Sequence, residues 1–206
     1  MSFSKVVKGR KFQQVLEGAR KVFLRDGFDG ASVDDIAREA GVSKATLYSY
    51  FPEKRLMLIE VARAEFEQLA NSAHEDVDLT LPTPDLLRAV AYLVATNIAS
   101  DFSIQVFRLA VAESPRFPAI GHEYLRTGPG LLNDRLSMLM TLLVQRGDLA
   151  IDDLDLAVEQ FMELCSVKLH DLAQFGQRDQ VTPQMIDRVV DGAVRLFLAG
   201  YGAARA

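Results

Sequence analysis

The sequence has little of several residue types that carry chemistry: one cysteine, three histidines and no tryptophan among 206 residues. A single cysteine, Cys165, excludes an intramolecular disulfide, and nothing points to an oxidising compartment. No stretch approaches the roughly 18 to 20 uninterrupted apolar residues that a membrane span requires. The first residues, MSFSKVVKGRKFQQ, lack the apolar region of a secretory signal. We therefore expect a soluble, cytoplasmic protein with no membrane partner.

The residue constellations that would indicate an enzyme are also missing. His122 begins a zinc-protease motif, but the second histidine that this motif requires four residues later is replaced by Arg126. The acidic cluster at 152–155 lacks the glycine and terminal glutamate of a calcium loop and is better explained as a helix start. Cys165 and His170 are five residues apart and do not face each other on a helix. We therefore predict no catalytic activity, no metal and no cofactor.

Charge is distributed unevenly along the chain. The formal net charge is -5, yet residues 1–55 hold 11 Lys/Arg against 7 Asp/Glu, a net of +4, which leaves -9 for the remainder. A local basic surface is enough to neutralise DNA phosphates, and an acidic remainder disfavours docking of the wrong face. Chance clustering is the alternative, since the excess lies mostly in Lys5, Lys8, Arg10 and Lys11.

Apolar residues recur at three- and four-residue spacing with no sustained alternation, which predicts an all-α protein without strands. The first helix is expected at about 10–26, with Gly27 as its C-terminal stop. The fourth is expected to hold Pro52 in its first turn and to end at about residue 76, before a linker-like break at 82–84. Further helices are expected at about 84–100, 102–113, 117–145 with a break at 128–130, 153–175 and 182–203.

Two short helices joined by a tight turn are expected between the first and fourth helices. Ser32 with Asp35 three residues on is the capping-box pattern of a helix start, and this helix is expected to end at Ala40. Gly41 suits the turn, and Ser43 is a good N-cap for the next helix. This is the layout of a helix-turn-helix, whose second helix enters the major groove of DNA. Many helical bundles share the layout, so geometry alone leaves a purely structural role open.

The segment from residue 31 to residue 54, ASVDDIAREAGVSKATLYSYFPEK, resembles the DNA-binding signature of the TetR family. One departure is Ala45, where glycine is also frequent in the family. The resemblance implies an N-terminal three-helix helix-turn-helix DNA-binding domain over 9–69 and a C-terminal helical ligand-binding and dimerisation domain over 70–206. Within the second part, the run from 112 to 161 looks like the AefR-like subgroup.

The second short helix carries five of the eight candidate DNA-binding residues. A recognition helix needs small or polar residues at its N-terminus, so that its backbone approaches the groove, and longer side chains that reach base edges. Ser43, Lys44, Ala45 and Thr46 meet the first requirement, and Lys44 and Tyr48 can reach bases or the DNA backbone. For Tyr48, a half-buried ring with only its hydroxyl outside is the alternative.

The other three candidates are expected to contact the DNA backbone. Tyr50 and Lys54 match phosphate-contacting positions of the family, and Ser32 offers a hydroxyl and helix-end N–H groups to a phosphate. Simple solvation is the alternative for the lysines. Helical periodicity places five apolar residues in the core of this domain instead: Ile36, Ala37, Val42, Leu47 and Phe51.

The resemblance implies a repressor that binds a palindromic double-stranded operator as a homodimer and is released by a small-molecule effector of unknown identity. In the family the last two helices form the dimer interface. Seven residues are candidates for an effector pocket, with a place in the core as the alternative for each: Phe102, Phe107, Tyr124, Met138, Phe161, Cys165 and His170. A non-catalytic helical scaffold and an enzyme are the competing hypotheses for the whole chain.

Overall fold

The computed structural model describes residues 9–76 and 78–203, without the side chains of 69–76. The described residues form eleven α-helices and one 3₁₀ turn, Arg178–Gln180. They contain no β-strand, only an isolated antiparallel bridge between Leu149 and Gly202. The all-α prediction is confirmed. The helices are α1 Arg10–Gly30, α2 Val33–Ala40, α3 Lys44–Tyr50, α4 Lys54–Asp76, α5 Thr83–Ile98, α6 Asp101–Glu113, α7 Pro118–Thr127, α8 Pro129–Gln145, α9 Leu154–Ser166, α10 Leu169–Gln174 and α11 Pro183–Tyr201.

Local chemistry explains several of the helix ends. Asp153 accepts a hydrogen bond from the backbone N–H of Leu156 at 3.0 Å and so caps α9. Thr182 caps α11 in the same way, with Pro183 at the first helical position. The predicted break near residue 128 is present, because Gly128 separates α7 from α8. The pattern of caps and breakers therefore marks real boundaries.

Two predicted helix boundaries are wrong, one at a glycine and one at a proline. Gly27, at φ 72° and ψ 177°, kinks α1 rather than ending it, and one further turn continues to Gly30. Pro52 lies ahead of α4, which begins at Lys54. The residue before a proline is pushed out of helical geometry, and Phe51 is extended at φ -134° and ψ 98°.

The helix expected over 153–175 is two helices. It breaks at Lys168, whose φ of 63° lies in the left-handed region that few residues other than glycine adopt. Cys165 before the break and Leu169 after it are both completely buried. Apolar periodicity continues through the break, which is why sequence spacing did not indicate it.

The chain divides into two compact units. The N-terminal unit comprises the described residues of 1–65 and 105–125, and the C-terminal unit those of 66–104 and 126–206. The unit boundaries fall inside α4, α6 and α7, and the predicted domain boundary at 69/70 stays a prediction. The buried apolar side chains of 9–65 are Phe12, Val15, Leu16, Ala19, Val22, Phe23, Ala31, Ile36, Ala37, Ala40, Leu47, Phe51, Met57, Leu58, Ile59, Val61 and Ala62.

Glycine allows α1 and α2 of the N-terminal unit to cross at backbone contact. A Cβ atom at Gly18 would lie 2.7 Å from both the Cβ and the backbone nitrogen of Ala40. Real Cβ atoms do not approach backbone so closely, so any side chain at this position would push the two helices apart.

The C-terminal unit is built on one apolar cluster from α5, α8, α9, α10 and α11. Phe161 and Phe197 meet edge to face at its centre, with ring centroids 5.0 Å apart. Cys165 lies in the same cluster, and burial raises the pKa of its thiol to about 12. The thiol is therefore protonated at neutral pH and behaves as a small apolar group.

Polar contacts tie the end of α11 to the segment between α8 and α9. The backbone N–H of Ala150 donates to the carbonyl of Tyr201 at 2.8 Å, and that of Ala203 donates to the carbonyl of Asp148 at 3.0 Å. The carboxylate of Asp148 in turn accepts from the hydroxyl of Thr83 at 2.8 Å. These bonds fix the register of the last helix against its own unit.

Among the described helices, no single one is long and apolar enough to cross a bilayer. Only α5 and α6 taken together, as a bent pair, reach that length and apolar composition.

Candidate DNA-binding site

The site begins at the N-terminus of α2, which Ser32 caps. The hydroxyl of Ser32 accepts from the backbone N–H of Asp35 at 3.0 Å and donates to the Asp35 carboxylate at 2.5 Å. In a complete capping box the acidic side chain reaches back to the backbone N–H of the cap residue, but aspartate is one methylene shorter than glutamate and binds the hydroxyl instead. The Ser32 hydroxyl and, after it, Arg38 hold the pKa of Asp35 below its ordinary value.

A glycine turn sets the direction of α3 relative to α2. Gly41 is left-handed, at φ 64° and ψ 35°, a conformation that strains residues with a side chain. The N–H of Val42 donates to the carbonyl of Ala37 at 3.0 Å, and the N–H of Gly41 donates to that of Arg38 at 3.2 Å. These bonds close the last turn of α2 and satisfy carbonyls that would otherwise be left unpaired.

Helix α3 presents one polar face and one buried anchor. Ser43 caps it by accepting from the N–H of Thr46 at 3.1 Å, and the two hydroxyls lie 2.9 Å apart. Leu47 is completely buried. Ser43, Lys44 and Ala45 are exposed, and Thr46 is half-buried. The predicted small and polar residues therefore lie together on the accessible side of the first turn.

The two tyrosines of α3 differ in their surroundings. Tyr48 is 49% exposed, so about half of its surface remains accessible. Tyr50 is half-buried, and its ring packs edge to face against Phe12 of α1 with centroids 5.7 Å apart. Tyr48 is therefore the more accessible of the two for a ligand.

Lys44 joins the N-terminal ends of α2 and α3 through an ion pair. Its ammonium group contacts the carboxylate of Asp34, which lies in the first turn of α2. Both side chains are more than half exposed. The ion pair brings a predicted DNA-binding residue against an acidic one that our sequence analysis did not select, because the two lie on separate helices and no periodicity relates them.

Lys54, at the start of α4, forms hydrogen bonds with two backbone carbonyls of its own unit. Its ammonium donates to the carbonyl of Phe28 at 2.6 Å and to that of Ala31 at 3.0 Å, and lies 4.4 Å from the centre of the Phe28 ring. An ammonium has three donors, so these bonds use two of them. Lys54 therefore ties α4 to the last turn of α1 and to Ala31, which follows that helix, a role that the sequence pattern did not predict.

The predicted core of the helix-turn-helix is confirmed for four of its five residues. Ile36, Ala37, Leu47 and Phe51 are buried, whereas Val42, which follows Gly41 in the turn, is half-buried. These buried residues anchor α2 and α3 on the side opposite the polar face of α3, which stays accessible.

The seven candidate pocket residues divide between the units and differ in burial. Phe107 and Tyr124, in the N-terminal unit, meet with centroids 6.0 Å apart, and burial raises the pKa of Tyr124. Phe161 and Cys165 belong to the core of the C-terminal unit, and Met138 is 62% exposed. Phe102 is buried, and His170 is half-buried.

These features define an all-α protein with a capped helix-turn-helix near its N-terminus. Residues 15–68 match the family model described as bacterial regulatory proteins, tetR family. Residues 85–203, more than half of the chain, match the model of the AefR-like transcriptional repressor, C-terminal domain. The chain therefore belongs to the TetR family of transcriptional regulators, in its AefR-like subgroup.

Solved structures and curated relatives agree with this assignment. The flavonoid-responsive regulator FrrA is 31% identical, with a TM-score of 0.71 over 96% of this chain and 100% of that chain. A TetR-family regulator from Mesorhizobium loti is 23% identical and shares the fold, with a TM-score of 0.85 over 97% and 100% of the two chains. The fatty acid metabolism regulator protein of Bacillus subtilis is 26% identical over 99 residues, 48% of this chain and 51% of its own length. The chain thus spans about half the length of that curated relative.

Proposed function

We propose that this protein is a transcriptional repressor that binds a palindromic double-stranded operator as a homodimer and is released by a small-molecule effector. The observation that carries the proposal is the face of α3, where Ser43, Lys44, Ala45 and Tyr48 are exposed while Leu47 anchors the helix from behind. Small residues at the helix start admit the backbone to the major groove, and the two longer side chains reach base edges or phosphates.

Three of the remaining candidate residues contact the DNA backbone in this proposal. Ser32 caps the N-terminus of α2 and Lys54 begins α4, and helix N–H groups and positive charge favour phosphate at such ends. Tyr50, at the C-terminal end of α3, offers its hydroxyl. Thr46 offers a methyl group to the groove, since its hydroxyl already contacts Ser43. We place the boundary between the DNA-binding domain and the regulatory domain at 69/70, with the domains spanning 9–69 and 70–206.

Operator selection from randomised or genomic duplex DNA, followed by binding measurements at fixed salt, tests this proposal. Lys44→Ala and Tyr48→Ala should each weaken operator binding about 5- to 150-fold, the equivalent of about 1 to 3 kcal/mol for a lost base contact. Tyr92→Ala is the matched control, because Tyr92 is similarly exposed, at 39%, but lies on α5. Wild-type affinity in both α3 variants would reject α3 as the recognition helix.

The homodimer in this proposal is formed by α9 and α11. Each carries a large apolar side chain that its own unit leaves accessible: Leu156 on α9 is 45% exposed, and Leu196 on α11 is 59% exposed. In the proposed dimer a second copy covers these two leucines. Buried Val190, Val194 and Phe197 show that α11 also packs on its own core.

Sedimentation at micromolar concentration tests the dimer. The wild type should have twice the mass of the chain, and Leu196→Asp should shift it toward the monomer while retaining its helical signal. Leu125→Asp is the matched control, because Leu125 is 61% exposed but lies on α7. A monomeric wild type would reject the dimer.

The effector is proposed as a small molecule of the flavonoid class. Support comes from FrrA, a flavonoid-responsive regulator that is 31% identical over nearly the whole chain. A panel of flavonoids is therefore the first probe. A true effector should weaken operator binding, and saturating operator should weaken effector binding by the same factor, typically about 5- to 150-fold. Equal affinity with and without operator would show that the compound is not an allosteric effector.

A further inference from the structure

Two adjacent aspartates in the first turn of α2 have different partners. Asp35 completes the helix cap with Ser32 and also accepts from Arg38 at 2.7 Å. Asp34 forms its ion pair with Lys44 across the turn, on α3. Asp35 therefore belongs to the helix cap, whereas Asp34 neutralises Lys44, the cation on the exposed face of α3. Asp34 is thus the acidic group in direct contact with Lys44, a residue proposed to bind DNA.

We propose that Asp34 is an autoinhibitory counter-charge that lowers the affinity of the recognition helix for DNA. The inference rests on the proposed operator binding. Both side chains are more than half exposed, so the ion pair is weak and a phosphate or base acceptor can displace the carboxylate from Lys44. Lys44 must leave the carboxylate before it can bind DNA, so the ion pair lowers the affinity of the recognition helix for its operator.

The sign of one substitution separates this role from direct readout. An aspartate can also accept a hydrogen bond from the amino group of cytosine, in which case its removal weakens binding. If Asp34 is a counter-charge, its removal strengthens binding instead. Asp34→Asn, which keeps the size of the side chain, should tighten binding to the selected operator about 2- to 5-fold, the factor that an exposed ion pair typically contributes.

The gain in operator affinity from Asp34→Asn must depend on Lys44. In a Lys44→Met background, Asp34→Asn should change operator affinity less than about twofold, since the paired cation is gone. Asp29→Asn is the matched charge control, because Asp29 is exposed and in the same unit. It should also change affinity less than about twofold. Asp34→Ser, with its helical signal checked, provides a second variant in which the cap hydroxyl of Ser32 is untouched.

The outcomes separate the two proposals. A wild type that selects no operator would overturn both operator binding and the counter-charge. A wild type that binds while Asp34→Asn and Asp34→Ser bind equally or more weakly would overturn only the counter-charge. An equal gain in Asp29→Asn, or a full gain without Lys44, would show a general charge effect and would also overturn it.

Discussion

The two units of this protein are stabilised by different means. In the N-terminal unit, α2 has 8 residues and α3 has 7, well below the roughly 12 to 15 at which an isolated helix becomes marginally stable in water. Ser32, Gly41 and Ser43 supply caps and a turn, and these two helices bury only Ile36, Ala37, Ala40 and Leu47. In the C-terminal unit, α5, α8, α9 and α11, of 13 to 19 residues, bury one large apolar cluster together with the short α10. Local polar chemistry matters most for α2 and α3, and packing matters most for the C-terminal unit.

The contrast has a consequence for function. In the N-terminal unit the residues that fix the geometry are neighbours of those proposed to bind DNA, or are the same residues, as with Ser32, Ser43 and Lys54. A substitution there can change stability and DNA binding together. In the C-terminal unit a core substitution acts on stability first. Paired variants therefore separate the two effects.

The largest expected effect is the loss of a core ring in the C-terminal unit. Phe161→Ala removes a completely buried side chain that packs against Phe197, and it should lower the free energy of unfolding by about 3 to 5 kcal/mol. Phe175→Ala is the control, because that ring is 77% exposed, and it should cost less than about 0.5 kcal/mol. Urea unfolding followed by circular dichroism measures both. Similar costs for the two rings would contradict the picture of one packed cluster.

The same substitution should have opposite signs in the two units. Gly18→Ala places a methyl group 2.7 Å from the backbone of Ala40 and should destabilise the protein by about 1 to 3 kcal/mol. Gly192→Ala, inside α11, meets nothing within 4 Å and should stabilise it by about 0.5 to 1 kcal/mol. Thermal unfolding gives both signs directly. A gain in stability for Gly18→Ala would mean that α1 and α2 are not in backbone contact.

Sequence reasoning succeeded where a feature depends on neighbouring residues. Ser32, Gly41 and Ser43 have local signatures, and each has the conformation or bond that its signature predicts. It failed where the local structure depends on contacts between residues far apart in the sequence. Lys168 breaks a helix whose apolar period continues unchanged. The carbonyl partners of Lys54, 23 and 26 residues away in sequence, leave no mark in spacing or composition.

The candidate site was therefore predicted in composition but not in its internal contacts. The exposed residues of α3 follow from helical period once Leu47 is assigned to the core. The ion pair between Lys44 and Asp34 depends on how the turn at Gly41 brings two helices together, which only the folded chain reveals.

Two lysines of the N-terminal unit should behave differently when each is replaced by alanine. Lys54→Ala removes two charged hydrogen bonds to the carbonyls of Phe28 and Ala31, so it should lower the free energy of unfolding by about 1 to 2 kcal/mol. Lys44→Ala removes only an exposed ion pair and should change that free energy by less than about 0.5 kcal/mol. Denaturant unfolding of the two variants gives the comparison. Equal stability would leave Lys54 with no structural role.

The smallest expected effect is a pH dependence at the α2 cap. The pKa of Asp35 is lowered in the folded chain, first by the Ser32 hydroxyl and then by Arg38. A carboxyl with a lowered folded pKa contributes stability above its unfolded pKa of about 3.9, and this contribution disappears as the pH falls through the folded pKa. The melting temperature of the wild type should therefore drop as the pH falls below about 5, and Asp35→Asn should make that drop shallower.

Asp26→Asn provides the comparison for this pH effect. The pKa of Asp26 is lowered as well, by its hydrogen bond to the adjacent Arg25, so this variant should also flatten the acid side of the melting profile. A lowered folded pKa means that each carboxylate stabilises the fold at neutral pH, so both variants should lower the melting temperature there, and Asp35→Asn should lower it more because Asp35 also belongs to the cap of α2. If both variants melt like the wild type at neutral pH, the Asp35 carboxylate does not hold α2, and the Ser32 hydroxyl caps the helix by itself.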